Sequence, residues 1–277
     1  MRTFDQATQL TGIFGYPLKH TLSPAMQNAA YASQNLNFVY LAFEIEPPSL
    51  KKAIESIRSL KIRGVNVTIP YKEIVIPYLD KVDPFAARIG SVNTIINNNG
   101  VLSGYNTDAP GFLKDISGKV TGIKNKTVLL AGAGGAGRAV AKALASAKVN
   151  KLFIVDSDEG RAEKLSASIA RSQRLSQKNW KQKIKEVDIL INATPIGMKP
   201  GKPLVEKEFL HRRLFVYDVV YNRKTELLRE ADKAGAKNSG GLGMLLNQGT
   251  IAFELFTGNK APVEVMKKAL TAAIHKT

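Results

Sequence analysis

Four polar clusters in this chain carry side chains able to hold an anion or move a proton. Thr21 and Ser23 set two hydroxyls at i and i+2, on one side of an extended segment and beside a helix start marked by Ser23-Pro24. Two hydroxyls next to helix N–H groups suit a carboxylate. The rival reading has Ser23 simply capping the helix and Thr21 at the surface. In the second cluster Asn66 and Thr68 share one strand face, and Lys72 follows just past the strand end. Ser91-Val92-Asn93-Thr94 and Tyr105-Asn106-Thr107-Asp108 are the third and fourth. A lysine and an aspartate at neighbouring strand ends make an acid/base pair: the carboxylate orients the ammonium, and partial burial draws the lysine towards working pH. Taken singly, Lys72 also fits a surface lysine and Asp108 a helix cap.

A second chemistry is written in residues 126–156. The apolar run at 127–131 suits a buried parallel strand. It breaks at Gly132, and Gly132, Gly134 and Gly137 stand in the G-x-G-x-x-G spacing, with Ala133, Gly135 and Ala136 completing the loop. A helical pattern follows over 136–147, and a second strand-like run, 152–155, ends on Asp156. Gly132 permits a tight turn, Gly134 lets the backbone approach a pyrophosphate, and Gly137 lets helix and strand pack closely, while the helix N-terminus supplies N–H groups to the anion. Glycine spacing alone is a weak signal. Strand, glycines, helix, strand and terminal acid in order predict a dinucleotide site; without a ligand the stretch reads as an Ala/Gly-rich helix packed on a sheet.

These groups need a scaffold of alternating elements. Strands are expected at 10–14, 38–45, 64–69, 92–96 and 101–105, with Asn97-Asn98-Asn99-Gly100 turning the last two into a hairpin. Helices are expected at 25–34, 48–60 and 71–79, the last cut at Pro77, and from Asp108 to near Gly118. Beyond the glycine loop come strands at 187–191 and 214–219 and helices at 224–234, 242–256 and 263–274. The class is therefore α/β: an N-terminal α/β substrate domain, a doubly wound Rossmann-type nucleotide domain, and C-terminal helices returning to the first domain. The expected limits are 1–108, 109–243 and 244–277.

Composition narrows the function classes. At 277 residues the chain can bury a sizeable core, and 44% hydrophobic with 23% charged residues is ordinary for a globular protein. The absence of cysteine excludes disulfides and thiolate metal sites. The N-terminus has no apolar signal region and no 18-residue apolar run occurs, so a cytoplasmic, unanchored protein is expected. A net charge of +17 raises nucleic acid as a rival partner. The densest basic run, 171–185, has Trp180 as its one aromatic and so lacks the interleaved aromatics of a single-strand platform. A solvated lysine-rich surface is the preferred reading.

The motifs together are similar to those of the shikimate dehydrogenase family over nearly the full chain. They are Thr21-Leu22-Ser23-Pro24 for Ser-x-Ser-Pro, Asn66-Val67-Thr68-Ile69-Pro70-Tyr71-Lys72, Val92-Asn93-Thr94, Gly104-Tyr105-Asn106-Thr107-Asp108, the glycine loop, the Asn-Ala-Thr-Pro-x-Gly-Met run at 192–198, and Gly-x-x-Met-Leu-x-x-Gln at 241–248. The resemblance implies reversible oxidation of the ring hydroxyl of shikimate to 3-dehydroshikimate with NAD or NADP and no metal. It implies that Thr21 and Ser23 hold the ring carboxylate, that Thr68, Asn93, Asp108 and Gln248 hold hydroxyls, and that Tyr221 closes on the substrate. Lys72, paired with Asp108, would move the proton. Further cofactor contacts are implied at Thr194, Pro195, Met198, Val219, Gly241 and Met244. The histidines, His20, His211 and His275, make no ligand or triad set.

Three departures matter. NADP-preferring members end the second nucleotide strand in Asn-Arg-Thr; this chain has Asp156-Ser157-Asp158, with the next arginine at Arg161. A carboxylate there suits a ribose diol and repels a phosphate, so NAD is expected over NADP, with Arg161 as a possible rescue for NADP. Thr21 replaces the usual first serine, which leaves quinate or shikimate open as the preferred acid; an NAD-dependent quinate/shikimate dehydrogenase of quinate catabolism is the alternative. Tyr221-Asn222-Arg223 replaces the usual Tyr-x-Pro. A regulator that keeps the fold without turnover has no need of Lys72 and Asp108. No nucleic-acid or membrane partner is expected, and a monomer or homodimer is.

Overall fold

The N-terminal alternation folds as β1 (Gln9–Gly15), α1 (Ser23–Ser33), β2 (Phe38–Glu44), α2 (Leu50–Ser59), β3 (Gly64–Val67), β4 (Lys81–Val82), α3 (Pro84–Ile89), β5 (Thr94–Asn98) and β6 (Val101–Tyr105). The structure, a computed structural model, describes residues 4–18 and 21–274. Lys19, His20 and His275 lie outside the described residues. The strands form one mixed sheet in the order β2-β1-β3-β5-β6-β4. β1 pairs in parallel with β2 and β3, whereas β5 runs antiparallel to both β3 and β6. Leu50, Ile54 and Ile57 bury one stripe of α2 against Val65, Val67 and Ile95, the i, i+4, i+7 spacing of an amphipathic helix. β2 is an edge strand, and its Tyr40 backbone is capped from the side: Tyr40 N–H donates to Asn28 Oδ1 at 2.9 Å and Asn28 Nδ2 donates to Tyr40 O at 2.8 Å.

One rival reading and one expected helix fail here. Ser23 is the first helical residue of α1 and makes no side-chain cap; the Thr21 hydroxyl instead accepts the Ser23 N–H at 3.4 Å. The expected helix over 71–79 is a turn followed by a short 3-10 helix, Ile76–Tyr78. Pro77 brings no N–H, so only Val75 N–H to Tyr71 O closes an α-type turn.

The chain continues through α4 (Asp108–Ser117), β7 (Thr127–Ala131), α5 (Gly135–Ser146), β8 (Lys151–Val155), α6 (Glu159–Ala167), β9 (Ser172–Arg174), β10 (Ile189–Asn192), β11 (Phe215–Asp218), α7 (Glu226–Lys233) and β12 (Lys237–Gly240). This second sheet is parallel throughout, in the order β12-β11-β10-β7-β8-β9. Strand order reverses between β7 and β10, the switch point beside which doubly wound sheets take ligands. β9 and β12 went unread because neither carries an apolar run: they read Ser-Gln-Arg and Lys-Asn-Ser-Gly. In the basic run, Arg174 pairs with Glu159 and Glu163, Lys181 with Glu206, and Lys183 with Glu186.

Two compact units result, 1–107 with 246–277 and 108–245. α8 (Leu242–Thr257) starts in the second and continues into the first, followed there by α9 (Val263–Ile274). Within the first unit Tyr31 stacks on Phe253 with ring centroids 5.4 Å apart, Gln27 Nε2 donates to Gly249 O at 2.9 Å, and Arg63 Nε to Phe256 O at 2.9 Å. The C-terminal helices thus complete the N-terminal core.

The start of α8 is fixed within the second unit. Tyr217 OH donates to Asp115 Oδ2 at 2.7 Å, Lys119 Nζ lies 2.5 Å from the same oxygen, and the Met244 N–H donates to the Tyr217 oxygen. Burial and the Asp115 charge push the Tyr217 phenol well above its ordinary range, so it stays a neutral donor. A Cβ on Gly243 would collide with the Asp115 carboxylate, whereas one on Gly249 would meet the flexible end of Met26. Gly243→Ala is therefore expected to destabilise by about 1–3 kcal/mol, by the cost of overpacking a site that cannot relax, and Gly249→Ala by less. Thermal unfolding of the two variants checks the order.

Candidate active site

Within the first unit, two candidate substrate side chains, Asn93 and Gln248, join one buried polar network. Asn93 precedes β5, and its Oδ1 accepts the Thr107 N–H at 2.7 Å while its Nδ2 donates to Thr107 Oγ1 at 2.8 Å and Gln248 Oε1 at 3.5 Å. Thr107 Oγ1 also reaches Gln248 Oε1 at 3.4 Å. Behind them Asn66 donates to Thr94 Oγ1 at 3.0 Å and accepts Tyr40 OH at 2.7 Å. Asn93, Thr107 and Gln248 are all buried, and cross-bonded amides and hydroxyls of this kind hold one orientation each. Lys72 is held by its backbone: the Val92 N–H donates to Lys72 O at 2.7 Å, next to Asn93. Thr68, half-buried, donates its N–H to Phe14 O at 2.9 Å just beyond β3. Thr21 and the buried Ser23 stand at the start of α1.

In the second unit the glycines divide by cause. Gly132 sits at φ +105°, and a Cβ on it would press on the Ala193 carbonyl. A Cβ on Gly137 would collide with the Gly132 carbonyl, the close helix–strand approach the fingerprint calls for. Gly134 has no such reason: its φ is −73° and nothing lies within 4 Å of an added Cβ. It caps α5 without a side chain, and the first turn of α5 carries no acidic residue. A small residue at ordinary φ facing open space at a helix N-terminus fits a dinucleotide pyrophosphate. Gly135 and Ala136 are the following residues of that turn, and Ala133 links it to β8.

That link is Asp156. Its Oδ2 accepts the Ala133 N–H at 2.6 Å and its Oδ1 the Asp158 N–H at 2.8 Å, with Ser157 Oγ at 3.4 Å. The carboxylate expected to face a ribose also pins the glycine loop, and Oδ2, with one donor, retains further acceptor capacity. Asp158 caps α6 by accepting the Arg161 N–H at 3.1 Å, and its Oδ2 lies 3.3 Å from Arg161 Nε.

The loops after β10, β11 and β12 converge within this unit. Asn192 Oδ1 accepts both the N–H and the hydroxyl of Thr194, at 2.9 and 2.7 Å, and Asn192 Nδ2 donates to Ile196 O and to Asp218 Oδ1 at 2.9 and 3.0 Å. Pro195 O accepts the Met198 N–H at 3.1 Å, and Met198 is half exposed. Gly241 is glycine because a Cβ would collide with the Val219 carbonyl, and Met244 is buried one turn on. Tyr221 follows β11, and burial, then the Asp108 carboxylate, push its phenol up. Asp108 is buried at the head of α4. Sequence reading gave no role to Thr107, Asn192 or Asp218; the first two lie inside motifs that were read, so only the third lacked any signal.

His211 Nε2 lies 3.3 Å from Ile184 O. Among the described residues there is no group of three or more His, Asp or Glu able to hold a metal, and no helix long and apolar enough to cross a membrane.

Known proteins share this architecture. The chain matches the sequence profiles "Shikimate dehydrogenase substrate binding domain" over residues 13–95, "Shikimate / quinate 5-dehydrogenase" over 114–214 and "Shikimate 5'-dehydrogenase C-terminal domain" over 241–271. It is 42% identical to the shikimate dehydrogenase (NADP(+)) of Methanopyrus kandleri, over 96% of each chain. Among solved structures it is similar to shikimate dehydrogenase from Aquifex aeolicus (40% identity, TM-score 0.91, 96% of this chain and 99% of that one). It is also similar to shikimate 5-dehydrogenase from Listeria monocytogenes in complex with shikimate and NAD (36% identity, TM-score 0.86, 97% and 98%). By these measures, and by the order of its motifs along both sheets, the chain belongs to the shikimate dehydrogenase family.

Proposed function

We propose that this protein interconverts shikimate and 3-dehydroshikimate by hydride exchange with a nicotinamide dinucleotide, and that it prefers NAD to NADP. The observation that carries the reaction is the buried Asn93–Thr107–Gln248 network. It is a rigid set of donors and acceptors, suited to a polyhydroxylated ring, inside a chain whose family oxidises one.

Thr21 and Ser23 hold the ring carboxylate at the N-terminus of α1; Ser23 serves the better because it does not cap the helix. Asn93, Gln248, Thr68 and Asp108 take the ring hydroxyls, and Tyr221 closes over them. Lys72 accepts the proton of the hydroxyl being oxidised and returns it in the reverse direction, with Asp108 orienting the ammonium. The bound nicotinamide supplies the two-electron hydride chemistry. Residues 132–137 hold its pyrophosphate, Asp156 its adenosine ribose, and Thr194, Pro195, Met198, Val219, Gly241 and Met244 its nicotinamide half. Lys72→Ala is expected to lower kcat by about 10²–10⁴ with a small change in KM, because proton transfer is needed only on the way to the transition state. Steady-state kinetics check this, and a change confined to KM would make Lys72 a binding residue.

The cofactor preference rests on charge. A 2′-phosphate placed here would face Asp156 and Asp158, with Ser157 where the family's NADP-preferring Asn-Arg-Thr pattern has its arginine. Arg161 already has a counter-charge in Asp158, which weakens it as a rescuer. The relative from Methanopyrus kandleri is named for NADP(+), and that from Listeria monocytogenes was solved with NAD, so the family accommodates both. kcat/KM with NAD is expected to exceed that with NADP, and Ser157→Arg to shift the ratio towards NADP by about tenfold, the worth of one charge-assisted contact. Side-by-side assays of both cofactors on shikimate and quinate decide it; a clear excess for NADP in the native protein overturns the assignment.

A further inference from the structure

Arg223 stands where the family's Tyr-x-Pro has its proline, and its guanidinium has been given three jobs. Nη1 donates to Gly197 O at 3.2 Å and to Glu226 Oε2 at 2.8 Å, and Nη2 donates to Glu226 Oε1 at 2.6 Å. The Glu226 pair is a two-pronged fork, the geometry in which arginine binds carboxylate most firmly. Both side chains are about four-fifths buried, at 22% and 19% exposure, so water and salt screen the pair less than a surface bridge. The Arg223 bonds, above all, hold the Glu226 carboxyl down to about 2.

Gly197 belongs to the loop after β10, which carries Thr194, Pro195 and Met198. Arg223 belongs to the loop after β11, two residues past Tyr221. Gly197 is at φ +101°, and a Cβ there would press on Thr225, the residue that caps α7 and donates to Asp218 at 2.7 Å. The β10 loop therefore packs closely against the β11 loop at Gly197, and Arg223 donates to the Gly197 carbonyl. A proline would stiffen only its own loop, by fixing φ. The arginine joins two loops.

We infer that Arg223 is a positioning residue: with Glu226 it latches the β10 loop to the β11 loop and so presets the surface that receives the nicotinamide half of the cofactor. This rests on the assignment of those loops to the cofactor. The latch acts before chemistry. Opening it leaves the proton-transfer groups alone and charges the ordering of the β10 loop to cofactor binding, as expected when a preorganised surface becomes mobile.

The test is NADH binding by fluorescence titration to the intact protein and to Arg223→Gln, Arg223→Pro and Glu226→Gln, with thermal unfolding of each and kcat on shikimate at saturating NAD. Arg223→Gln and Glu226→Gln are expected to raise the NADH Kd about five- to tenfold, in line with the loss of one charge-assisted hydrogen bond, with kcat within about twofold. Arg223→Pro is expected to recover part of the affinity, by stiffening the Tyr221 loop. A purely structural role would lower the unfolding temperature and leave the Kd alone. An unchanged Kd in Arg223→Gln, or in Glu226→Gln should the first variant not fold, overturns the inference. Should the native protein bind NADH and fail to oxidise shikimate, the reaction proposed above falls, while the Kd series still judges the latch.

Discussion

Asp218 is a carboxylate with no solvent exposure, and the geometry of the loops after β10 and β11 follows from satisfying it. Burial raises its pKa, because the charged carboxylate is penalised where water cannot reach. Three donors offset that cost: Asn192 Nδ2 at 3.0 Å, Thr225 Oγ1 at 2.7 Å and the Val220 N–H at 3.0 Å. Each belongs to a different piece. Asn192 ends β10 and shapes the Thr194 loop, Thr225 caps α7, and Val220 leads to Tyr221. An unpaired buried carboxylate is costly enough that none of the three can drift independently. The parallel sheet fixes where the strands stop, and Asp218 decides what the chain does next.

The first unit solves the same problem with neutral groups. Asn66, Asn93, Thr94, Thr107 and Gln248 bond to one another, so their orientations are set in the absence of any ligand. On the proposed reading, a ring bearing several hydroxyls would meet donors and acceptors already aimed, with little reorganisation left for the moment of binding. The second unit relies on backbone: an open glycine at a helix N-terminus, a loop pinned by Asp156, and carbonyls packed against Gly137 and Gly241 where no side chain fits.

What was legible in the sequence was local. The strand, turn and helix of 127–146 announce themselves because glycine spacing and apolar runs report on neighbours a few residues away. Thr21, Asn93 and Asp108 stood out as polar groups at strand ends, whereas Gln248 was legible only through a family motif and by itself reads as ordinary helix. The misreadings have a common cause. Whether Ser23 caps α1 depends on the backbone at Leu22, and the 71–79 segment has helical periodicity but lacks the donor that Pro77 removes. The bond from Tyr217 to Asp115 spans 102 residues of sequence, and nothing in either neighbourhood predicts it. Asp156 has a second partner, Ala133, that the sequence does not show, because the two become adjacent only once β7 and β8 pair.

The capped edge of β2 bears on how the protein behaves in a crowded solution. An outermost strand reading Phe-Val-Tyr-Leu-Ala-Phe, without lysine or proline, is the kind that recruits a stray strand from another molecule. Asn28 occupies both backbone groups of Tyr40 at the middle of that strand. An incoming chain would have to displace a side chain anchored on α1 before its first rung could form. One asparagine on a neighbouring helix thus does what charged or kinked edges do elsewhere, and it guards against aggregation without altering the strand whose Tyr40 the Asn66 network needs.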